Sequence, residues 1–211
     1  MRIAIIGAGN IGATLGKLWT KAGHEVMLSS RHPDGLLPLV RQLGGSARVG
    51  SVGEAARFGE VALLAVPVHT YPALSAAISQ DLLGKVLLDA GNPVERRDGP
   101  LAREAKGSQG SGLFTAKQFP GVRVVKAYNT IYFVTLERAS GRPPPRIAVP
   151  LASDDPAALE IASKLVEDSG FEPLIVGPLL RARDFDAGTA AWNSGKTAAE
   201  LRVVLGLAES A

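Results

Sequence analysis

Three glycines near the amino terminus have the spacing of a loop that holds phosphate. Gly7, Gly9 and Gly12 form the pattern G-x-G-x-x-G within the segment GAGNIG. The pattern alone is weak, because a chain with 24 glycines can produce it by chance. Here it follows an apolar run of strand length and opens a segment with helical periodicity, which is the context that a dinucleotide-binding loop requires. The first glycine permits a tight turn, the second lets the backbone approach a pyrophosphate, and the third allows close packing of helix on strand.

The end of the second predicted strand favours NADP(H) over NAD(H). A fold that binds NAD normally places Asp or Glu there, about 20 residues after the glycines, to bond the ribose hydroxyls. This chain has Ser30 and Arg31 at that point, and the first acid, Asp34, comes after a proline. A carboxylate would repel the 2′-phosphate of NADP, whereas a hydroxyl and a guanidinium would bind it. The alternative is that Arg31 is only a solvated surface charge.

Alternating strands and helices must position this loop. Residues 2–6 are predicted to form a buried strand, 10–22 a helix and 24–30 a second strand, which completes one strand–helix–strand unit. Further strands are predicted at 47–50, 60–67, 85–93, 122–130, 147–152 and 171–177. Helices are predicted at 36–43, 51–59, 72–79, 153–170 and 196–207.

This alternation predicts an α/β fold of Rossmann type, a doubly wound, mostly parallel sheet with helices on both faces. We expect a dinucleotide-binding domain over residues 1-137 and a small C-terminal αβ extension over 138-211 that packs on the same sheet. Residues 95–112 are polar and glycine-rich, and they are predicted to form a loop whose 105–112 part acts as a lid.

The composition excludes several kinds of chemistry. The 211-residue chain has no cysteine, which rules out disulfides, thiolate metal sites and cysteine nucleophiles. Its histidines, His24, His32 and His69, lack metal-ligand spacing, so we predict no metal. A net charge of +3 without a long run of Lys or Arg predicts no nucleic-acid partner. No apolar stretch is long enough to cross a membrane. We therefore expect a soluble, cytoplasmic protein whose partners are small molecules.

Several segments together resemble one family. IAIIGAGNIGATLG, HEVMLSSRHP and SVGEAARFGEVALLAVP are followed in the expected order by LLDAGNP, PGVRVVKAYNTI and SDDPAALEIASKLVEDSGFEPLIVGPL. They are similar to segments of the NADP-dependent oxidoreductases related to deazaflavin-dependent NADP reductase, and to the cytosolic domains of membrane metalloreductases. Members of this family pass a hydride between NADPH and a second flat cofactor. The resemblance implies a small-molecule redox acceptor, either the deazaflavin coenzyme F420 or a flavin, FMN or FAD.

The resemblance also implies which residues hold the cofactor. Those that cradle the pyrophosphate are Gly9, Asn10 and Ile11, and those that hold the 2′-phosphate are Ser30 and Arg31. The residues that flank the adenosine side or the bridge to the nicotinamide are Val66, Pro67 and His69. The residues that line the nicotinamide ribose and ring are Ala90, Gly91, Asn92 and Pro93.

Two positions depart from the family pattern. After the Val-Pro pair the family often has an aromatic residue and an acid, whereas this chain has Val68-His69. Where deazaflavin-linked members often have His-Thr-Ile, this chain has Asn129-Thr130-Ile131. The resemblance places both positions against the reacting ring, so these departures bear on which acceptor is used and leave the NADP prediction intact.

Hydride transfer depends on distance and orientation more than on acid–base groups. The weak candidates for a catalytic role are His69, Asn129 and Thr130, and His69 is either a proton donor or only a cofactor contact. Lys126 and Tyr128 fall on one face of the predicted strand 122–130, where they polarise a carbonyl or simply pack.

Three functions remain open. The first is an NADP(H)-binding oxidoreductase with a deazaflavin or flavin acceptor, the second a small imine or ketone reductase, and the third a non-catalytic NADP(H)-sensing module. We expect the acceptor to stack over the nicotinamide between Asn92-Pro93 and Asn129-Thr130. Residues 177–206, which include Trp192, would form the outer wall. We also expect a homodimer.

Overall fold

One sheet of eight strands carries the glycine loop at its centre. The computed structural model of the chain describes residues 1–107 and 109–208. The strands, in chain order, are β1 (Arg2–Ile6), β2 (Glu25–Ser29), β3 (Ala47–Gly50), β4 (Val61–Leu64), β5 (Val86–Asp89), β6 (Arg123–Lys126), β7 (Ala148–Ala152) and β8 (Glu172–Gly177). Their order across the sheet is β3-β2-β1-β4-β5-β6-β7-β8. Adjacent strands are parallel except for β6 and β7, which pair in antiparallel orientation. The predicted Rossmann-type, mostly parallel sheet is therefore confirmed.

Helices connect the strands and cover the sheet. In chain order they are α1 (Asn10–Lys21), α2 (Leu37–Leu43), α3 (Val52–Phe58), α4 (Tyr71–Leu82), α5 (Glu95–Asp98), α6 (Pro100–Ala105), α7 (Gly110–Gln118), α8 (Phe133–Ala139), α9 (Pro156–Asp168) and α10 (Ala198–Leu205). Short 3₁₀ segments are found at Pro33–Leu36, Val68–Thr70 and Leu179–Phe185. None of the helices in the described ranges is both long and apolar enough to cross a bilayer.

Strand β1 shows why its sequence is a continuous apolar run. Ile3 and Ile5 belong to a core shared with Trp19 of α1, whereas Ala4 and Ile6 belong to a second core on the other face of the sheet. Successive side chains of a strand point to opposite faces, so both faces of β1 are covered and both sets must be apolar.

The strand register brings several loops to one level. Ile6 of β1 pairs with Ser29 of β2 and with Leu64 of β4. Leu64 pairs with Asp89 of β5, which pairs with Lys126 of β6. The residues that follow these five strand ends therefore lie side by side. The order of the strands reverses between β1 and β4, and a parallel sheet binds its ligand at such a switch point.

The prediction of a loop at 95–112 is wrong for the described residues, because the segment is mostly helical. This segment contains α5, α6 and the start of α7, while Ser108 lies outside the described residues. Two of its glycines, Gly110 and Gly112, allow close packing. A Cβ on Gly110 would lie 2.6 Å from Cβ of Arg183, and one on Gly112 would lie 2.8 Å from Cβ of Ala182.

Three predicted strands are too long at their carboxyl ends. The strand predicted at 122–130 ends at Lys126, and Tyr128 turns the chain with a φ of 61°. Lys126 and Tyr128 therefore do not share a strand face. The Tyr128 hydroxyl donates to the carbonyl of Leu165 in α9 at 3.0 Å, which is a packing role. The strands predicted at 60–67 and 85–93 end at Leu64 and Asp89.

Candidate functional site

The turn after β1 contains two glycines, Gly7 and Gly12, at positions where the surrounding protein leaves no room for a side chain. Gly7 has a φ of 98°, and a Cβ placed on it would lie 2.3 Å from Cγ1 of Val66. A Cβ on Gly12 would lie 2.0 Å from the carbonyl oxygen of Gly7, which shows how closely α1 packs on the end of β1. These positions therefore fix the turn that leads into α1 whether or not a ligand is bound.

Gly9 differs, because no atom of the described protein restricts it. It precedes α1 with an extended backbone and no side-chain cap, and a Cβ on it would meet nothing within 4 Å. Both Gly9 and Asn10 are exposed, and the first turn of α1 carries no acidic residue. The free amide groups and the dipole at the start of this 12-residue helix suit an anion.

A cavity of about 320 Å³ lies beside this loop, at the carboxyl ends of β1, β2 and β4. Its apolar lining comes from Ile6, Val52, Val66, Pro67 and Leu74. Its polar lining comes from Ser30, Arg31, His69 and Thr70. The guanidinium of Arg31 has neither a hydrogen bond nor an ion pair within residues 1–107 and 109–208, so it is free to meet a ligand. An apolar slot with a basic rim suits adenine joined to a phosphate.

Asp98 joins the two loops that follow β4 and β5. Its carboxylate accepts the ring Nδ1–H of His69 at 2.8 Å and the backbone N–H groups of His69 at 3.2 Å and Val94 at 2.8 Å. Arg97 donates to it at 2.9 and 3.0 Å and to the carbonyl of Asn92 at 2.7 Å. Burial raises the pKa of Asp98, but these hydrogen bonds outweigh that effect and hold its pKa well below the ordinary value.

A fully buried polar network lies beneath the loop that follows β5. Asp89 accepts hydrogen bonds from Tyr71 at 2.6 Å, from Thr115 at 2.7 Å and from the backbone of Gly91 at 2.9 Å. Lys126 forms an ion pair with it at 2.9 Å and also donates to the Gly91 carbonyl. Burial and the neighbouring Asp89 raise the pKa of Tyr71 well above its ordinary value, so the phenol stays protonated as a donor.

This network fixes the position of the 91–93 loop. Gly91 is held at its N–H and at its carbonyl, and a Cβ on it would lie 1.9 Å from the Tyr71 hydroxyl. Sequence reasoning missed the network. The available signal was an acid and a lysine within two consecutive predicted strands that are otherwise apolar, and the register of β5 and β6 brings these two residues together.

Three buried polar atoms near the ends of β5 and β6 have no hydrogen-bond partner in the described chain: Oδ1 of Asn92, Oδ1 of Asn129 and Oγ1 of Thr130. The side-chain N–H₂ of Asn92 donates to the Asn129 carbonyl at 2.8 Å, and that of Asn129 donates to the Phe185 carbonyl at 3.1 Å. Both amides are thereby oriented. Buried polar atoms normally have partners, so this group suits a ligand with N–H or O–H groups.

The segment after β8 closes one side of these residues. The carbonyl of Phe185 accepts a hydrogen bond from the side-chain N–H₂ of Asn129, and the backbone N–H of Asn193 donates to the Thr130 carbonyl at 2.9 Å. Trp192, next to Asn193, is 38% exposed. Arg181 is held by Asp184 and by the Leu205 carbonyl, so its guanidinium is used within the segment itself.

The residues expected to bind a cofactor thus fall into two neighbouring groups. Residues of the first group line the cavity beside α1: Gly7, Ser30, Arg31, Val66, Pro67 and His69. Gly9, Asn10, Ile11 and Gly12 belong to the adjoining loop and the start of α1 and are not part of that lining. The 90–93 segment lies on the Asp89 network, and Asn92 connects it to the 129–130 turn.

Comparisons with known proteins show similarity over most of the chain. Residues 2–93 match the family model described as NADP oxidoreductase, coenzyme F420-dependent. The F420-dependent NADP reductase of Methanothermobacter marburgensis is 31% identical over 196 residues, which cover 87% of this chain and 87% of that protein.

Solved structures extend the likeness to the whole fold. A hypothetical protein of Sinorhizobium meliloti has a TM-score of 0.80 and 26% identity, and the match covers 92% of this chain and 93% of that one. An imine reductase variant of Myxococcus stipitatus, solved with NAD⁺, has a TM-score of 0.61 and 19% identity, covering 85% of this chain and 55% of that one. The second likeness concerns the fold alone.

Proposed function

The chain belongs to the family of coenzyme F420-dependent NADP oxidoreductases, and on that premise we propose that it transfers a hydride between NADP(H) and a second flat redox cofactor. The proposed acceptor is a deazaflavin such as coenzyme F420, with FMN or FAD as the flavin alternative. One observation carries the proposal beyond family membership. The unpartnered buried atoms of Asn92, Asn129 and Thr130 lie close after the ends of β5 and β6, and they support our proposal that the nicotinamide and the acceptor ring meet there.

The residues around the cavity fit the adenosine half of NADP(H). The open space over Gly9 and the amide groups at the start of α1 would receive the pyrophosphate. Ser30 and Arg31 would bind the 2′-phosphate, and Val66 and Pro67 would pack on the adenosine. The missing strand-end acid, which would repel that phosphate, supports NADP(H) over NAD(H).

The residues after β5 fit the nicotinamide half. Bound NADP(H) supplies or accepts the hydride at its nicotinamide ring. The chain's task is to hold this ring. Asn92 offers an acceptor to the carboxamide N–H₂, and the Asp89 network keeps Gly91 in place. Asn129 and Thr130 then offer hydrogen bonds to the second ring.

Acceptor reduction under anaerobic conditions tests the proposal. NADPH is mixed with the protein and with coenzyme F420, FMN, FAD or a cyclic imine in turn, and the oxidation of NADPH is followed. We expect the fastest turnover with the deazaflavin or a flavin. Turnover only with the imine would identify an imine reductase instead, and NADPH binding without turnover of any acceptor would favour a sensing module.

A conservative variant of the acceptor pocket completes the test. Thr130→Val removes the unpartnered hydroxyl at nearly constant volume. It should reduce turnover by about tenfold, the value of roughly one hydrogen bond, while NADPH affinity stays nearly unchanged. An equal fall in NADPH affinity would place Thr130 against the nicotinamide instead of the acceptor.

The division into a dinucleotide-binding domain and a C-terminal extension, the cytoplasmic location and the homodimer remain part of the proposal. Analytical ultracentrifugation tests the dimer directly.

A further inference from the structure

His69 is held in one orientation by a buried carboxylate. Its ring Nδ1 and its backbone N–H both contact Asp98, whose side chain is 0% exposed, while the His69 side chain is 45% exposed. Within the described ranges, the other ring nitrogen, Nε2, has no hydrogen-bond partner. The ring therefore presents Nε2 away from Asp98, and His69 lines the same cavity as Ser30 and Arg31.

This orientation decides what Nε2 offers to a ligand. Asp98 stays ionised, because its hydrogen bonds keep its pKa low, and its carboxylate therefore accepts a hydrogen bond from the Nδ1–H group of His69. A neutral ring then has only a lone pair at Nε2, which repels a phosphate oxygen. A protonated ring has an N–H there, which binds that oxygen strongly.

We propose that His69, positioned by Asp98, is a specificity residue for the 2′-phosphate of NADP(H), and that it takes up a proton from solvent when this phosphate binds. The inference rests on the proposed function, since it requires NADP(H) in this cavity. Bound phosphate would place a further anion beside the imidazole, opposite Asp98.

The elements packed against His69 carry several ionisable groups. The Val68–Thr70 segment packs against α4, α5 and α6. The ionisable groups of these helices are Tyr71 and Asp81 of α4, Glu95, Arg96, Arg97 and Asp98 of α5, and Arg103 and Glu104 of α6. Among them only Asp98 has a contact with the imidazole. Arg31 lines the same cavity and is the other basic side chain that a bound phosphate would meet there.

Calorimetry with NADPH and NADH as probes tests this inference. Each nucleotide is titrated into the protein at several pH values between about 6 and 8, in two buffers that differ in their ionisation enthalpy. The difference in binding enthalpy between the two buffers gives the number of protons taken up, and the same titrations give the affinity. The 2′-phosphate itself has a pKa of about 6. The contribution of the histidine is therefore the difference between the wild type and His69→Gln.

We expect His69→Gln to lose the proton uptake that accompanies NADPH and to weaken NADPH by about tenfold, with NADH affected less than about twofold. The matched control is His32→Gln, an exposed histidine that does not line the cavity, and it should keep both properties. Asp98→Asn should also reduce the uptake. Since Asp98 holds backbone groups as well, circular dichroism must show that this variant is folded, and His69→Gln decides the question if it is not.

Unchanged proton uptake and an unchanged ratio of NADPH to NADH affinity in His69→Gln would overturn the inference. Arg31→Glu separates this failure from that of the proposed function. If Arg31→Glu lowers the ratio while His69→Gln does not, only the role of His69 is wrong. If neither changes the ratio, the cavity does not hold the 2′-phosphate and the proposed site itself is wrong.

Discussion

Removing the charge of Lys126 should destabilise the fold and slow turnover. Lys126 and Asp89 are both completely buried, and the lysine is the cation that balances this carboxylate. Lys126→Met keeps the side-chain length but leaves Asp89 as an uncompensated charge, with donors remaining from Tyr71, Thr115 and Gly91. Breaking a buried ion pair on one side costs about 3–5 kcal/mol. The three remaining donors still stabilise the carboxylate, so we expect a value at the lower end of this range. The free energy of unfolding should fall by about 3 kcal/mol.

Urea unfolding followed by circular dichroism measures this loss, with NADPH oxidation measured on the same samples. The matched control is the double variant Asp89→Asn, Lys126→Met, which removes both charges. It should recover a large part of the lost stability, because a neutral amide is far cheaper to bury than an unpaired carboxylate. Turnover should fall in both variants, since both release the Gly91 carbonyl from Lys126.

A free energy of unfolding reduced by less than about 1 kcal/mol in Lys126→Met would refute this reasoning. Such a value is typical of a solvated surface pair. A double variant that is less stable than Lys126→Met would also refute it, because the carboxylate would then not be the source of the cost.

Three further predictions concern the loop, the cofactor preference and one helix. Gly9→Val should abolish NADPH binding in calorimetry while the circular dichroism spectrum stays native, because the added side chain would occupy only the space proposed for the pyrophosphate. The control is Gly45→Val, whose added side chain also meets no protein atom. Retained NADPH binding in Gly9→Val would contradict the claim. Arg31→Glu should weaken NADPH more than NADH by at least about tenfold, and equal losses would contradict it. The hydrogen bond from Arg123, with one from the Ala158 backbone, lowers the pKa of Asp155 to about 2. The wild type should therefore be more stable than Asp155→Asn near neutral pH and lose this advantage as the pH falls from about 4 towards 2. Thermal unfolding at each pH measures the difference in stability between the two proteins, and a difference that does not change with pH would contradict the prediction.

The sequence predicts the centre of the sheet and the loop well, for a physical reason. Buried parallel strands read as short apolar runs, and the residue after each run lies at the same edge of the sheet. Gly7, Ser30 and Val66 could therefore be grouped before any contact was known. Their proximity follows from strand order and register, both of which the strand–helix alternation constrains.

Contacts that depend on distant packing could not be predicted in this way. Gly110 and Gly112 suggest a flexible loop by composition, but they are small because the Leu179–Phe185 segment packs on them. The contact between His69 and Asp98 joins two loops 29 residues apart. The sequence identifies neither the partner nor the orientation of the ring. The sequence predicts one strand that carries both Lys126 and Tyr128, because nothing in the sequence shows that the strand ends at residue 126.

Direct transfer of an isotope label tests the central claim most directly. NADPH with deuterium at the transferable position of its nicotinamide ring is incubated anaerobically with the protein and coenzyme F420, and the reduced deazaflavin is examined by mass spectrometry. We predict that the deuterium is found in the reduced deazaflavin, because a hydride that passes between two stacked rings does not exchange with water. Reduced deazaflavin without the label, or no reduction of any flat acceptor, would contradict the account.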